Sequence, residues 1–124
     1  MLVPQLYLNG SCSEAIELYK KAFGSEVDNI MYDPEQESGK FVIHAEMHIL
    51  GTRLMLSDHG GTLESSADST MEIVAQFSNE QSLRAAYQII KVESKTITPI
   101  GSIFFSPCFV SFIDKFGVRW CFMV

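Results

Sequence analysis

Two imidazoles and a carboxylate alternate along one short stretch of the chain, as His44, Glu46 and His48 within FVIHAEMHILGTRLMLSD. A histidine beside a glutamate in a dry cavity can act as a general acid/base pair, because imidazole titrates near neutrality and a buried carboxylate raises its basicity. The same row can also be a hydrogen-bonded polar ladder with no chemistry. Same-face neighbours on a strand lie about 6.5–7 Å apart, so His44 and His48 are about twice that distance from each other. One ion shared by both is therefore disfavoured, and a relocated metal site would need bent side chains. Further along stand Glu72, a second candidate base, with Gln76, Arg119 and Cys121. His59, between Asp58 and two glycines, reads as a solvated loop residue.

Those residues need strands to hold them. In Phe41–Asp58, Ile43, Ala45, Met47 and Ile49 alternate with the polar row, and period two is the strand signature. A tight turn at Leu50-Gly51-Thr52 makes the stretch a hairpin. Upstream, Leu2–Asn9 reads as a strand with Pro4 near its start. Its inward set is either Pro4, Leu6 and Leu8 or Gln5, Tyr7 and Asn9, since one residue of slip exchanges them. Ser11-Cys-Ser-Glu14 has the form of a capping box. Behind it, Cys12, Ala15, Ile16, Tyr19 and Phe23 fall at helical spacing, and Gly24 is placed to stop the helix. Glu26–Tyr32 reads as a strand and Asp33–Gly39 as a polar loop.

After Asp58, HGGTLESSADS is poor in apolar residues and reads as a linker, residues 59–69. The halves are then 1–58 and 70–124. Thr70–Phe77 is expected as a strand, Ser78–Gln81 as a second capping box, and Leu83, Ala86, Tyr87 and Ile90 as one helical face. Val92–Pro99 is expected as a strand, Ile100–Ser106 as a loop, then Phe109–Ile113 and Val118–Val124 as strands around an Asp114–Gly117 turn. The halves repeat the order strand, helix, three strands. The ten-residue offset from Asn9 to Tyr19 recurs from Phe77 to Tyr87, a repeat of topology rather than of sequence. The fold class is α+β: two βαβββ modules forming a curved, mostly antiparallel sheet with a concave pocket and helices on the convex face.

The chain has 124 residues, 47% of them apolar and 19% charged, with a net charge of −6. That composition is globular. An acidic chain without a basic cluster lacks the attraction that dominates nucleic-acid binding, and the same holds for anionic membranes. No apolar run reaches the ~20 residues of a membrane span, and MLVPQLYLNG does not read as a signal peptide. Cys12, Cys108 and Cys121 are odd in number and widely spaced, which suits a reducing cytoplasm. Met31, Met47, Met55, Met71 and Met123 read as core filling, or as an adaptable apolar wall if they face a cavity.

Three stretches, QLYLNGSCSEAIELYKKAFGSEV, HAEMHILGTRLMLSD and IDKFGVRW, resemble the vicinal oxygen chelate superfamily of glyoxalase I, bleomycin-resistance proteins and extradiol dioxygenases. The resemblance points to the PhnB-like branch, often labelled 3-demethylubiquinone methyltransferase-like. In metal-dependent members it implies four His/Glu ligands to a divalent ion. By motif spacing these positions fall on Pro4, Met55, Glu72 and Cys121. Proline has no ligating side chain and a thioether is a poor ligand for such ions, so the expectation is no metal. The resemblance implies a homodimer and a small organic ligand in the concave pocket, and the polar residues at inward parity, His44, Glu46, His48, Glu72, Gln76, Arg119 and Cys121, are the candidates to hold it. The alternative is a lyase- or isomerase-type enzyme using proton transfer, with or without a relocated divalent metal.

Overall fold

The computed structural model describes residues 1–36, 38–64 and 66–124. The chain divides into two compact units, Met1–Leu63 and Glu64–Val124. Each contains one helix and a four-stranded mixed sheet, and neither sheet closes into a barrel.

In the first unit the order is β1 (Gln5–Tyr7), α1 (Cys12–Phe23), β2 (Val27–Tyr32), β3 (Val42–Ile49) and β4 (Thr52–Ser57). The strands lie in the order β1-β4-β3-β2, with β1 parallel to β4 and the other ladders antiparallel. The first strand is shorter than Leu2–Asn9. Pro4 brings no N–H to the ladder, although its carbonyl accepts from Met55 N at 2.9 Å. The hairpin turns through Leu50 and Gly51, both at positive φ (50° and 82°), as a two-residue turn matched to strand twist requires.

Helix α1 buries Cys12, Ala15, Ile16, Tyr19 and Ala22. Ala22 takes the place expected for Phe23. Gly24 ends the helix in the left-handed conformation, its N–H on the Lys20 carbonyl. The capping box does not form. Ser11 turns its hydroxyl back to the Leu8 carbonyl, 2.5 Å away. Asp58 caps the helix instead, from 46 residues along the chain. Its Oδ1 accepts from Gly10 N (2.8 Å) and Cys12 N (2.9 Å), and its Oδ2 from Val42 N (2.9 Å). Asp58 is thus a buried clasp between helix and sheet.

Two bulges set the faces of β3. Asp28 is the extra residue on β2, and Ile43 the extra residue on β3. The second bulge shifts the alternation, so Val42 joins Ala45, Met47 and Ile49 in the core and Ile43 is only partly covered. The Ile43 carbonyl is taken by the Ser57 hydroxyl at 2.7 Å.

The second unit runs β5 (Ile73–Gln76), α2 (Glu80–Ile90), β6 (Lys95–Ile103), β7 (Ser106–Ile113) and β8 (Arg119–Met123), in the order β5-β8-β7-β6. Again one pair, β5 with β8, is parallel. Asn79, not Ser78, caps α2, its side chain accepting from Ser82 N at 2.8 Å. Leu83, Ala86, Tyr87 and Ile90 form the buried face. The region expected as a loop, Ile100–Ser106, is mostly strand. β6 sits at the sheet edge, where Pro99 is tolerated, and repeated register shifts absorb Pro99 and Gly101. Conversely, Thr70–Glu72 lies outside β5, and Met71 is exposed rather than core.

The core of this unit is aromatic. Tyr87 meets Phe112 at 5.2 Å between ring centroids, Phe112 meets Phe122 at 5.1 Å, and Trp120 meets Phe122 at 5.9 Å. Asp114 organises the last turn: its carboxylate accepts from Phe116 N, Val118 N and Trp120 Nε1 at 2.9–3.0 Å.

Candidate functional site

Each sheet has one face toward its helix and one free of it. In the first unit the ladder pairs Asn29 with Glu46, Glu46 with Met55, and Met55 with Gln5. These side chains share the helix-free face with His44, His48, Arg53, Met31 and Tyr7. The choice at the first strand is thereby made: Gln5 and Tyr7 lie on the polar face, while Leu8 is in the core.

Glu46 is the centre of this face. Its Oε1 accepts from Arg53 Nη2 and lies 3.2 Å from His44 Nε2. The Arg53 guanidinium and, after it, the His44 hydrogen bond hold the Glu46 carboxyl below its ordinary value of 4.5. The reciprocal effect raises the Arg53 pKa. Glu46 is about one-fifth exposed and His44 under one-third. His48 takes a different partner. The β2 bulge turns Asp28 toward it, and His48 Nδ1 lies 2.5 Å from Asp28 Oδ2. Both are about half exposed.

Arg53 was not among the candidates read from the sequence. Counting across the two-residue turn finds it, because His48 and Arg53 are paired. Glu46 uses one oxygen for both of its partners, and Arg53 uses one nitrogen for Glu46. Glu46 Oε2 and Arg53 Nε and Nη1 therefore have no hydrogen-bond partner among the described residues.

In the second unit Glu72 stands one residue before β5 and accepts from Arg119 Nε at 2.8 Å. Arg119 Nη1 also donates to the carbonyls of Ala67 and, at 3.2 Å, Ser69. Cys121 follows two residues on, paired with Val74 and Ser111. It is 4% exposed. Burial, and next the Glu72 charge, push its thiol up to about 11, with Arg119 acting in the opposite sense. Gln76 pairs with Met123 and is exposed. His44 and Glu46 thus gather with Arg53 in one unit, and Glu72, Arg119 and Cys121 gather in the other, while His48 and Gln76 stand apart from both clusters.

The four positions implied as metal ligands do not fit a divalent ion. The Pro4 carbonyl is engaged by Met55 N, and Met55 pairs with Gln5 rather than Pro4. Glu72 is already neutralised by a guanidinium, and Cys121 is a protonated thiol at neutral pH. Among the described residues no three His, Cys, Asp or Glu side chains come close enough to hold an ion.

No family model and no curated protein matches the sequence. Solved structures do. A Bacillus cereus protein described as a putative 3-demethylubiquinone-9 3-methyltransferase, PhnB protein, is 26% identical with a TM-score of 0.83, over 98% of this chain and 97% of that one. A Pseudomonas aeruginosa protein is 23% identical with a TM-score of 0.84, over 99% and 96%. A glyoxylase/bleomycin resistance protein/dioxygenase domain from Frankia superposes with a TM-score of 0.66 at 15% identity, over 99% and 93%. With its βαβββ repeat and the three sequence stretches described above, the chain has the glyoxalase/bleomycin resistance/dioxygenase fold of the vicinal oxygen chelate superfamily and is similar to its PhnB-like proteins.

Proposed function

We propose that this protein binds a small organic molecule against the helix-free face of its first sheet, without a resident metal. The observation that carries the reading is the Arg53–Glu46–His44 cluster. It sets unengaged hydrogen-bonding atoms, Arg53 Nε and Nη1 and Glu46 Oε2, among the apolar side chains of Met31, Met55 and Tyr7. Placed polar groups with apolar neighbours are features of ligand sites, and thioethers adapt to varied shapes. Binding is favoured over proton transfer because Glu46, held ionised by Arg53, is a weak base. We further propose a cytoplasmic homodimer. The three free cysteines suit a reducing compartment, and the exposed Phe104, Phe105 and Val74 supply apolar surface for a partner copy.

The test is a thermal-shift screen of small aromatic and polar organic compounds. A ligand at ~100 times its Kd adds roughly 2.7 kcal/mol, which is about 10 °C for a chain of this size. Arg53→Met is expected to abolish the shift for compounds that bind here. Metal analysis of the purified protein, with divalent-ion titration, tests the absence of a resident ion. Stoichiometric metal lost on Glu72→Gln would overturn the reading.

A further inference from the structure

We propose that residues 66–72 form a strap latched by Arg119 across the helix-free face of the second sheet, and that unlatching it uncovers Cys121. Four observations within this unit support the proposal. Arg119 reaches three points of the segment at once, the Glu72 carboxylate and the carbonyls of Ala67 and Ser69. A single side chain thus spans residues 67 to 72. The segment itself is poorly anchored. Ser66, Ala67, Asp68, Thr70 and Met71 are all exposed, and its other hydrogen bonds are local ones.

The third observation is the face. Trp120 and Phe122 point into the aromatic core beneath α2, so Arg119, Cys121 and Met123 point away from it. The helix therefore does not cover the Cys121 sulfur. The fourth is proximity. Both Glu72 and Arg119 lie close enough to Cys121 to act on its ionisation. A segment held by one charge-assisted fork and little else has a low local opening free energy. An anionic group competing for the guanidinium would release it.

The thiols report the latch. The full chain is labelled with a maleimide at pH 8.5, and modification of each cysteine is followed by peptide mass spectrometry. Cys12 and Cys108 are fully buried and serve as internal controls. Arg119→Met is expected to accelerate labelling of Cys121 roughly tenfold while the controls stay slow. Loss of the cation by itself makes the thiol less acidic and so slower, so acceleration reads access rather than reactivity. Arg119→Lys keeps the charge but not the fork, and is expected to give a smaller rise. It stands in should the Met variant fail to fold. Unchanged Cys121 labelling in either variant overturns the proposal. So does a rise shared by Cys108, which lies in the same unit, since that would mean Arg119 merely stabilises the unit.

Discussion

Asp58 shows how much a single carboxylate carries. It satisfies three backbone N–H groups from two separate segments, and it is buried. Asp58→Ala strands those donors and is expected to cost about 3 kcal/mol, read as a lowered denaturation midpoint. Asp58→Asn leaves one end an acceptor and turns the other into a donor facing a donor, so an intermediate loss is expected. Gly61 has φ +90°, and a side chain there would run into the backbone carbonyl of Tyr7, so Gly61→Ala is expected to destabilise the first unit. Protons test two further residues. Glu46 has a lower pKa folded than its ordinary 4.5, so between those values the unfolded chain binds the proton better. Its contribution is present above about pH 4.5 and is lost as the pH falls through the folded value. Arg53→Met should flatten that acid limb in melts taken across pH 3–6. Cys12 behaves with the opposite sign. Burial, then the Asp58 charge, push its thiol from 9.0 up to about 12, so stability is complete below pH 9 and is lost as the pH rises toward 12. Cys12→Ala should make alkaline melts less steep.

The elements were legible from the sequence wherever periodicity and punctuation agreed. The α1 face, the Gly24 stop, the Leu50-Gly51 hairpin and the Asp114 turn all follow from residues whose preferences are local. The failures have one physical origin: tertiary partners displaced local ones. Ser11-x-x-Glu14 has the capping-box form, but a distant aspartate outbids its hydroxyl. Pro99, Gly101 and Ser102 spell a loop, yet an edge strand with bulges accommodates all three. The polar row of β3 was readable from its alternation. Asp28 was not, because it reaches His48 through a bulge that has no linear signature, whereas Arg53 follows from counting across the turn.

Across the whole chain, a repeated βαβββ plan carries two different solutions to the same problem. The first unit ties its helix to its sheet with a carboxylate. The second locks an aromatic cluster under α2 and uses Asp114 to hold the indole of Trp120. Both leave one sheet face to polar groups, and in both the cation is an arginine. The proposed homodimer is checked by sedimentation equilibrium, with a two-subunit mass expected and a shift toward one subunit on Phe104→Asp. The Asp58 clasp also bears on how the chain folds as it is made. Residues 10 and 12 wait for a partner 46 to 48 positions later, so α1 emerges from the ribosome before the group that fixes its first turn exists. A nascent chain should therefore remain protease-sensitive while Asp58 is still inside the ribosomal exit tunnel, and become resistant once residues up to 63 have emerged from it.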